Sequence, residues 1–210
     1  MERWHYRRGL FMPGRAPVRR GICSMFMATH LIGFGAAQTG GTTWVNTYSV
    51  TMTGAQGSRA NYNYRNWYSA GLLSQSATAG KVRITFTNAS GGGNHTIDSC
   101  YIGHAAGAGD AYDFDGAQVQ VLVGASGSFS VLTASDVVSD EITFALDETK
   151  NVIVSLHINS GFGSNGTYKA ADANQVGYSK SGSDESSTAN VTGYSADNGP
   201  VYIKKIEVFQ

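Results

Sequence analysis

From Thr43 to the C-terminus, apolar residues recur at every second position. That period fixes what the chain can fold into: strands with one face turned to a core. KVRITFTN sets Val82, Ile84 and Phe86 against Arg83, Thr85 and Thr87, and AQVQVLVG sets Val119, Val121 and Val123 against Gln118, Gln120 and Leu122. EITFALD carries Ile142, Phe144 and Leu146, and KNVIVSLHI carries Val152, Val154, Leu156 and Ile158. TWVNTYSVTMT reads with Trp44, Tyr48, Val50 and Met52 on one face. HTIDSCYIGH reads as one strand, with Ile97, Ser99 and Tyr101 opposite Asp98, Cys100 and Ile102. In VYIKKIEVF the phase changes between Ile203 and Ile206, which places a β-bulge at Lys204-Lys205. Turns rich in Gly, Ser, Asn and Asp separate these segments, and no 3.6-residue period appears in the body. The expected fold is all-β: a single antiparallel β-sandwich, jelly-roll-like, over residues 43–210. Its expected core is Val82, Ile84, Phe86, Val119, Val121, Phe144, Val154 and Leu156. The 27 glycines among 210 residues, against an average share of about 7%, serve the turns and bulges of such a fold.

Residues 1–26 are of another character. They hold six arginines and one acid, Glu2, which leaves nine of the 15 Lys/Arg and fourteen of the 15 Asp/Glu to the rest of the chain. Three readings stay open for this basic segment: a true start at Met27, a secretory signal, or an arm that binds an acidic surface. Residues 27–42 are a Gly-rich lead-in. The mildly acidic body offers no basic stripe for phosphates, so no nucleic-acid partner is expected. No apolar run reaches 18 residues, so no membrane span is expected either. Cys23 and Cys100 make neither a disulfide framework nor a zinc site, and Cys100 reads as a small buried hydrophobe.

KVRITFTNASG (Lys81–Gly91), IDSCYIGHAA (Ile97–Ala106), SFSVLTASDVVSDEITFAL (Ser128–Leu146) and VIVSLHI (Val152–Ile158) follow one another in the order of a known module. Over about residues 80–160 the chain resembles the β-sandwich domain found in front of many SGNH-family hydrolases. YDFDGAQVQVLVGAS (Tyr112–Ser126) also looks like a version seen in uncharacterised bacteriophage and environmental proteins. The catalytic half of those hydrolases has no counterpart here. There is no G-D-S block, no D-x-x-H block and no G-x-S-x-G elbow. The resemblance therefore implies an accessory sandwich with a glycan-facing or structural role rather than hydrolysis.

Sugars present apolar C–H faces and hydroxyls, so aromatic side chains beside amides or arginine suit them. NYNYRNWY (Asn61–Tyr68) has that pattern. Trp67 and Tyr68 are the expected stacking residues, Asn61, Asn63 and Arg65 their hydrogen-bonding neighbours, and Tyr112, Tyr178 and Tyr194 further loop aromatics. The competing reading is a strand with one aromatic face in the core. In GDAYDFDG, Asp110, Asp113 and Asp115 precede Gly116, a spacing able to wrap a structural Ca²⁺, against the plainer reading of a polar turn. His104 and His157 read as strand histidines without a second metal ligand, and Asp184-Glu185 as solvated loop acids. The function expected is a non-catalytic adhesion or glycan-binding module of a bacteriophage virion: a tail fibre, spike or head decoration. Its partners would be a cell-surface glycan, other virion subunits and further copies of itself. The alternatives are a purely structural capsid or tail subunit and a secreted bacterial carbohydrate-binding protein. The expected location is accordingly virion or extracellular.

Overall fold

The computed structural model describes residues 43–57, 59–88, 93–159 and 166–210. The basic segment 1–26, the lead-in 27–42, Ser58, and residues 89–92 and 160–165, where turns were expected, lie outside them. Among the described residues the two-residue period becomes fifteen strands and no helix. They are β1 (Trp44–Ser49), β2 (Gly54–Gln56), β3 (Tyr62–Tyr68), β4 (Lys81–Thr87), β5 (His95–Ile97), β6 (Ser99–His104), β7 (Val119–Gln120), β8 (Phe129–Val131), β9 (Asp136–Val138), β10 (Ile142–Thr143), β11 (Val152–Ile158), β12 (Gly166–Tyr168), β13 (Gln175–Ser181), β14 (Ser195–Ala196) and β15 (Ile203–Phe209).

One sheet has the order β1-β15-β4-β10, with β9 also pairing β4; the other has the order β14-β13-β3-β11-β6-β7. Two ribbons, β12-β2 and β5-β8, complete the described pairings, all antiparallel. The chain visits the first sheet with β1, the second with β3, the first with β4 and the second with β6 and β7. It then returns to the first with β9 and β10, crosses with β11 and ends in the first with β15. This alternation is jelly-roll-like. The β13–β14 hairpin widens the second sheet beyond β3.

The two inner faces share one core. Val82, Ile84, Phe86, Ile206 and Val208 come from the first sheet, and Tyr64, Tyr68, Ile102, Val154 and Leu156 from the second. The rings of Tyr48 and Tyr68 meet across the sheets at 4.9 Å, and the Tyr48 hydroxyl donates to Gln175 Oε1 at 2.6 Å. Cys100 is buried here as expected, and burial pushes its thiol pKa up. Of the expected core, only Val119 is partly exposed, at the margin.

Three local departures from simple alternation reorient side chains. The bulge at Lys204 is present: pairing with β4 shifts between Ile203 and Lys205, and the Lys204 carbonyl accepts from Val50 N. A second bulge, at Thr47 in β1, corrects the expected face. Thr47 Oγ1 donates to the Gln75 carbonyl and accepts from Gln75 N, and the register shifts between Asn46 and Tyr48. Trp44 therefore lies on the outer face, under the Arg83 guanidinium at 4.6 Å, while Tyr48 points inward. The third departure is at Asp98, where the expected single strand HTIDSCYIGH is two. β5 pairs β8, Asp98 N donates to the His157 carbonyl, and β6 begins in the second sheet. The break lets Ile97, Cys100 and Ile102 enter one core despite opposite parity.

The outer face of the second sheet is covered. Every residue of β11 is buried. The chain between β13 and β14 lies over β3 and β6 and is held through its backbone. Asn63 Nδ2 donates to the Ser183 carbonyl, and Asn63 Oδ1 accepts from Glu185 N, both at 2.8 Å. Gln118 Nε2 donates to the Ser187 carbonyl at 2.6 Å, and Phe114 N to the Ala189 carbonyl at 2.9 Å. A segment docked by main-chain groups and short polar side chains needs no apolar period, which is why this stretch shows none.

Candidate functional site

The aromatic run NYNYRNWY forms β3 but is not an open platform. Tyr68 is fully buried in the core, and Asn63 and Arg65 are fully buried on the covered face. The Arg65 guanidinium lies 4.4 Å over the Phe114 ring and donates to the carbonyls of Tyr112, Glu185 and Thr188. Trp67 is only partly exposed, registered between Ile153 and Val176, and its indole Nε1 is buried without a partner. Asn61 stays at the surface, its Oδ1 3.3 Å from His157 Nε2. Tyr112 and Tyr194 are buried with Val191 in a second small cluster, with Tyr178 packed against it. The ring centroids stand 5.2 Å apart for Tyr112–Tyr194 and 5.1 Å for Tyr112–Tyr178. These tyrosines anchor the covering segment over Arg65 instead of standing free on loops.

The three aspartates of GDAYDFDG are turned to separate partners. Asp113 Oδ1 accepts from Val191 N and its Oδ2 from Asp110 N, Asp110 Oδ2 accepts from the Tyr112 hydroxyl, and Asp115 Oδ1 accepts from Ala117 N. Among the described residues no group of three or more His, Cys, Asp or Glu is placed to hold a metal ion. Asp184 and Glu185 are not simply solvated. Asp184 accepts from Ser99 Oγ at 2.5 Å and from Ser186 N and Oγ, while Glu185 Oε1 accepts from Lys180 Nζ at 2.7 Å. Burial alone would raise the Asp184 carboxyl, but the hydrogen bonds from Ser186 and Ser99 outweigh it and hold it below its ordinary value.

An open groove of about 380 Å³ lies where β3 begins, beside the β13–β14 hairpin, bordered by Arg59, Tyr62, Ser179, Lys180, Ser195 and Asp197. Local backbone chemistry builds it. Asn61 adopts φ 57°, a left-handed conformation that asparagine tolerates, in the turn that precedes β3. Arg59 then lies over the Tyr62 ring, 5.0 Å from its centroid. Gly177 in β13 lets the 198–199 turn approach closely. A Cβ there would sit 2.5 Å from the Asn198 carbonyl oxygen and 2.7 Å from that of Gly199. The Asp197 N–H then donates to the Gly177 carbonyl, and its carboxylate accepts from Ser179 Oγ at 2.8 Å and from Arg59. Burial pushes the Asp197 carboxyl up, but the bonds from Arg59 and Ser179 outweigh it and keep its pKa low. The result is a fixed ionic network beside a partly exposed aromatic ring, with the Ser195 hydroxyl at the surface.

Arg59, Tyr62 and Asp197 were absent from the residues expected to bind. Tyr62 was legible as part of the aromatic run. The Arg59–Asp197 pair spans 138 positions and has no sequence signature. Compared with models of known protein families and with curated proteins, the chain matches none. What fold and site define is therefore a class: an all-β sandwich with a polar groove at a sheet edge.

Proposed function

We propose that the chain is a non-catalytic glycan-binding β-sandwich, with the groove at the β13–β14 edge as its site. The observation that carries this reading is the Arg59–Tyr62 stack bordered by Ser179, Ser195 and Asp197. A flat apolar surface rimmed by fixed donors and acceptors matches a sugar ring, whose C–H face stacks while its hydroxyls exchange hydrogen bonds. The hydrogen bonds that tie Arg59, Ser179 and Asp197 together hold the rim before a ligand arrives, which lowers the ordering cost of binding. One such groove gives about millimolar to micromolar affinity. Adhesion then calls for several copies acting together, raising avidity by about 10²–10⁴. A virion fibre, spike or decoration supplies that multiplicity and agrees with the likeness of Tyr112–Ser126 to a version seen in uncharacterised bacteriophage and environmental proteins.

The test is binding of the multimeric protein to host-cell surface polysaccharide, comparing the parent with Tyr62→Ala and Ser195→Trp. Ser195 is exposed, so the tryptophan fills the groove without entering the core. Both variants should weaken binding by about tenfold or more. If the parent binds no glycan, or both folded variants bind like the parent, the groove is not the site. The purely structural subunit then becomes the reading, with exposed Leu132 and Val138 as the first surface to probe.

A further inference from the structure

At the other end of β3, about 20 Å away at ~3.3 Å per strand residue, two clefts of about 450 and 400 Å³ meet at Asp115 and Lys150. We propose that this junction binds an acidic sugar, a uronate unit whose carboxylate sits on Lys150 and whose hydroxyl bridges His104 and Asp115.

The tautomer of His104 follows from its partners. Its Nε2 accepts from Asp147 N at 3.0 Å, so in the neutral ring the proton is on Nδ1. Burial, and then the nearby Lys150 charge, lower the imidazole pKa and keep the ring neutral, against the smaller pull of Asp115 and Asp147. That Nδ1–H faces Asp115 Oδ2 at 4.0 Å, too far for a hydrogen bond. A ligand hydroxyl at about 2.7–2.9 Å from each atom closes the triangle, accepting from the imidazole and donating to the carboxylate. Asp115 Oδ1 is already taken by Ala117 N, which leaves Oδ2 for this role.

The second half of the site is cationic. The Lys150 ammonium makes no hydrogen bond or ion pair with any described residue, although it borders both clefts. Asn151 beside it uses Oδ1 to accept from Ala70 N, so its Nδ2 is left to donate. The Phe144 ring, 4.8 Å from the His104 ring, forms an apolar wall. One cation with no hydrogen-bonded partner among the described residues, acting on the Asp147 carboxylate only at longer range, one carboxylate oxygen able to accept, and one N–H donor match a monoanion that carries hydroxyls. A phosphate dianion meets repulsion from Asp115, and a neutral sugar leaves Lys150 unused. The site is formed by residues other than those of the β13–β14 groove and stands whether or not that groove binds glycan.

The experiment titrates the full chain at pH 7 with a galacturonate trimer, a neutral galactose trimer and inorganic phosphate, reading the His104 ring resonances by NMR. The acidic trimer should shift the His104 Nδ1 signal saturably, with little response to the other two. Lys150→Gln and Asp115→Ala, both at exposed positions, should each weaken uronate binding by about tenfold or more. Tyr62→Ala and Ser195→Trp should leave it unchanged, which separates this site from the other. No His104 shift with the acidic trimer, equal binding of the neutral trimer or of phosphate, or parent-like binding by folded Lys150→Gln overturns the proposal.

Discussion

Replacing Arg65 with alanine removes a fully buried cation that has no carboxylate at ion-pair distance among the described residues. Its guanidinium instead donates to three main-chain carbonyls, at 3.3 Å to Tyr112, 2.9 Å to Glu185 and 2.5 Å to Thr188, and lies 4.4 Å over Phe114. A hydrogen bond to a charged group contributes about 1.5–3 kcal/mol, and a desolvated cation–π contact about 2 kcal/mol. Against these stands the cost of burying the charge, several kcal/mol, which alanine relieves. The net destabilisation expected is about 3–5 kcal/mol, the scale for breaking a buried charged network by removing one partner. For a domain of this size that lowers Tm by roughly 6–20 °C. Guanidinium unfolding of parent and variant, followed by the midpoint with the m-value checked for constancy, measures it. Hydrogen exchange should show the amides of the 185–189 segment opening first, because their neighbouring carbonyls have lost their anchor. Arg65→Lys keeps the charge but not the fork that reaches three acceptors, and should fall between parent and alanine. A cost below about 0.5 kcal/mol for Arg65→Ala, with unchanged exchange over 185–189, would refute the idea that this side chain holds the outer layer on the sheet.

Phe86→Ala empties a fully buried site 4.9 Å from the Phe129 ring and should cost about 3–5 kcal/mol, while Val119→Ala at the core margin should cost clearly less; equal costs by chemical denaturation would mean the inner faces are misassigned. His104 sets a pH dependence. Burial and Lys150 lower its folded pKa below the ordinary 6.5, so the unfolded chain takes up that proton first. Its contribution is complete above pH 6.5 and is lost as pH falls from there through the folded pKa. The stability difference between parent and His104→Gln should therefore shrink between pH 7.5 and about 5 in urea titrations, and a constant difference speaks against a neutral imidazole in the fold.

Alternation made the inner faces legible, because each of Val82, Ile84, Phe86, Val154 and Leu156 sits in a strand whose period is unbroken. The Lys204 bulge was legible for the same reason: an extra residue leaves a visible phase change when apolar residues flank it on both sides. The Thr47 bulge was not. Trp44 and Tyr48 stand four apart and look in phase, while the residue that breaks the phase is a polar one whose partner, Gln75, lies 28 positions away. Asp98 hid the end of a strand in a similar way. The apolar parity changes from Ile97 to Cys100 and Ile102, but a single apolar position before the change sets no phase to compare with, and it is the pairing to different sheets that shows the chain has turned.

Asn63, Arg65, Tyr68, Tyr112 and Tyr194, expected to face a sugar, are buried instead, and one ambiguity with a physical root explains why. A strand that alternates aromatic and polar side chains is expected both where a ligand docks and where a loop docks, since carbonyls of a covering segment ask for the same donors as sugar hydroxyls. Asn63 and Arg65 are polar because they serve the main chain of residues 182–189, and Tyr112 and Tyr194 are aromatic because they cover Arg65. With that face closed, open polar surface with fixed geometry collects at the two ends of β3, where turns and hairpins converge: Arg59, Tyr62 and Asp197 at one end, His104, Asp115 and Lys150 at the other. Each trio is completed by a residue far along the chain, Asp197 for the first and Lys150 for the second, so neither leaves a spacing that a reading of the sequence detects. Both depend on how the hairpins and loops close, and so on the same outer layer that Arg65 holds in place. A change at Arg65 should for that reason disturb the β13–β14 groove, whose Lys180 is tied to Glu185 of the covering segment, before it disturbs the core.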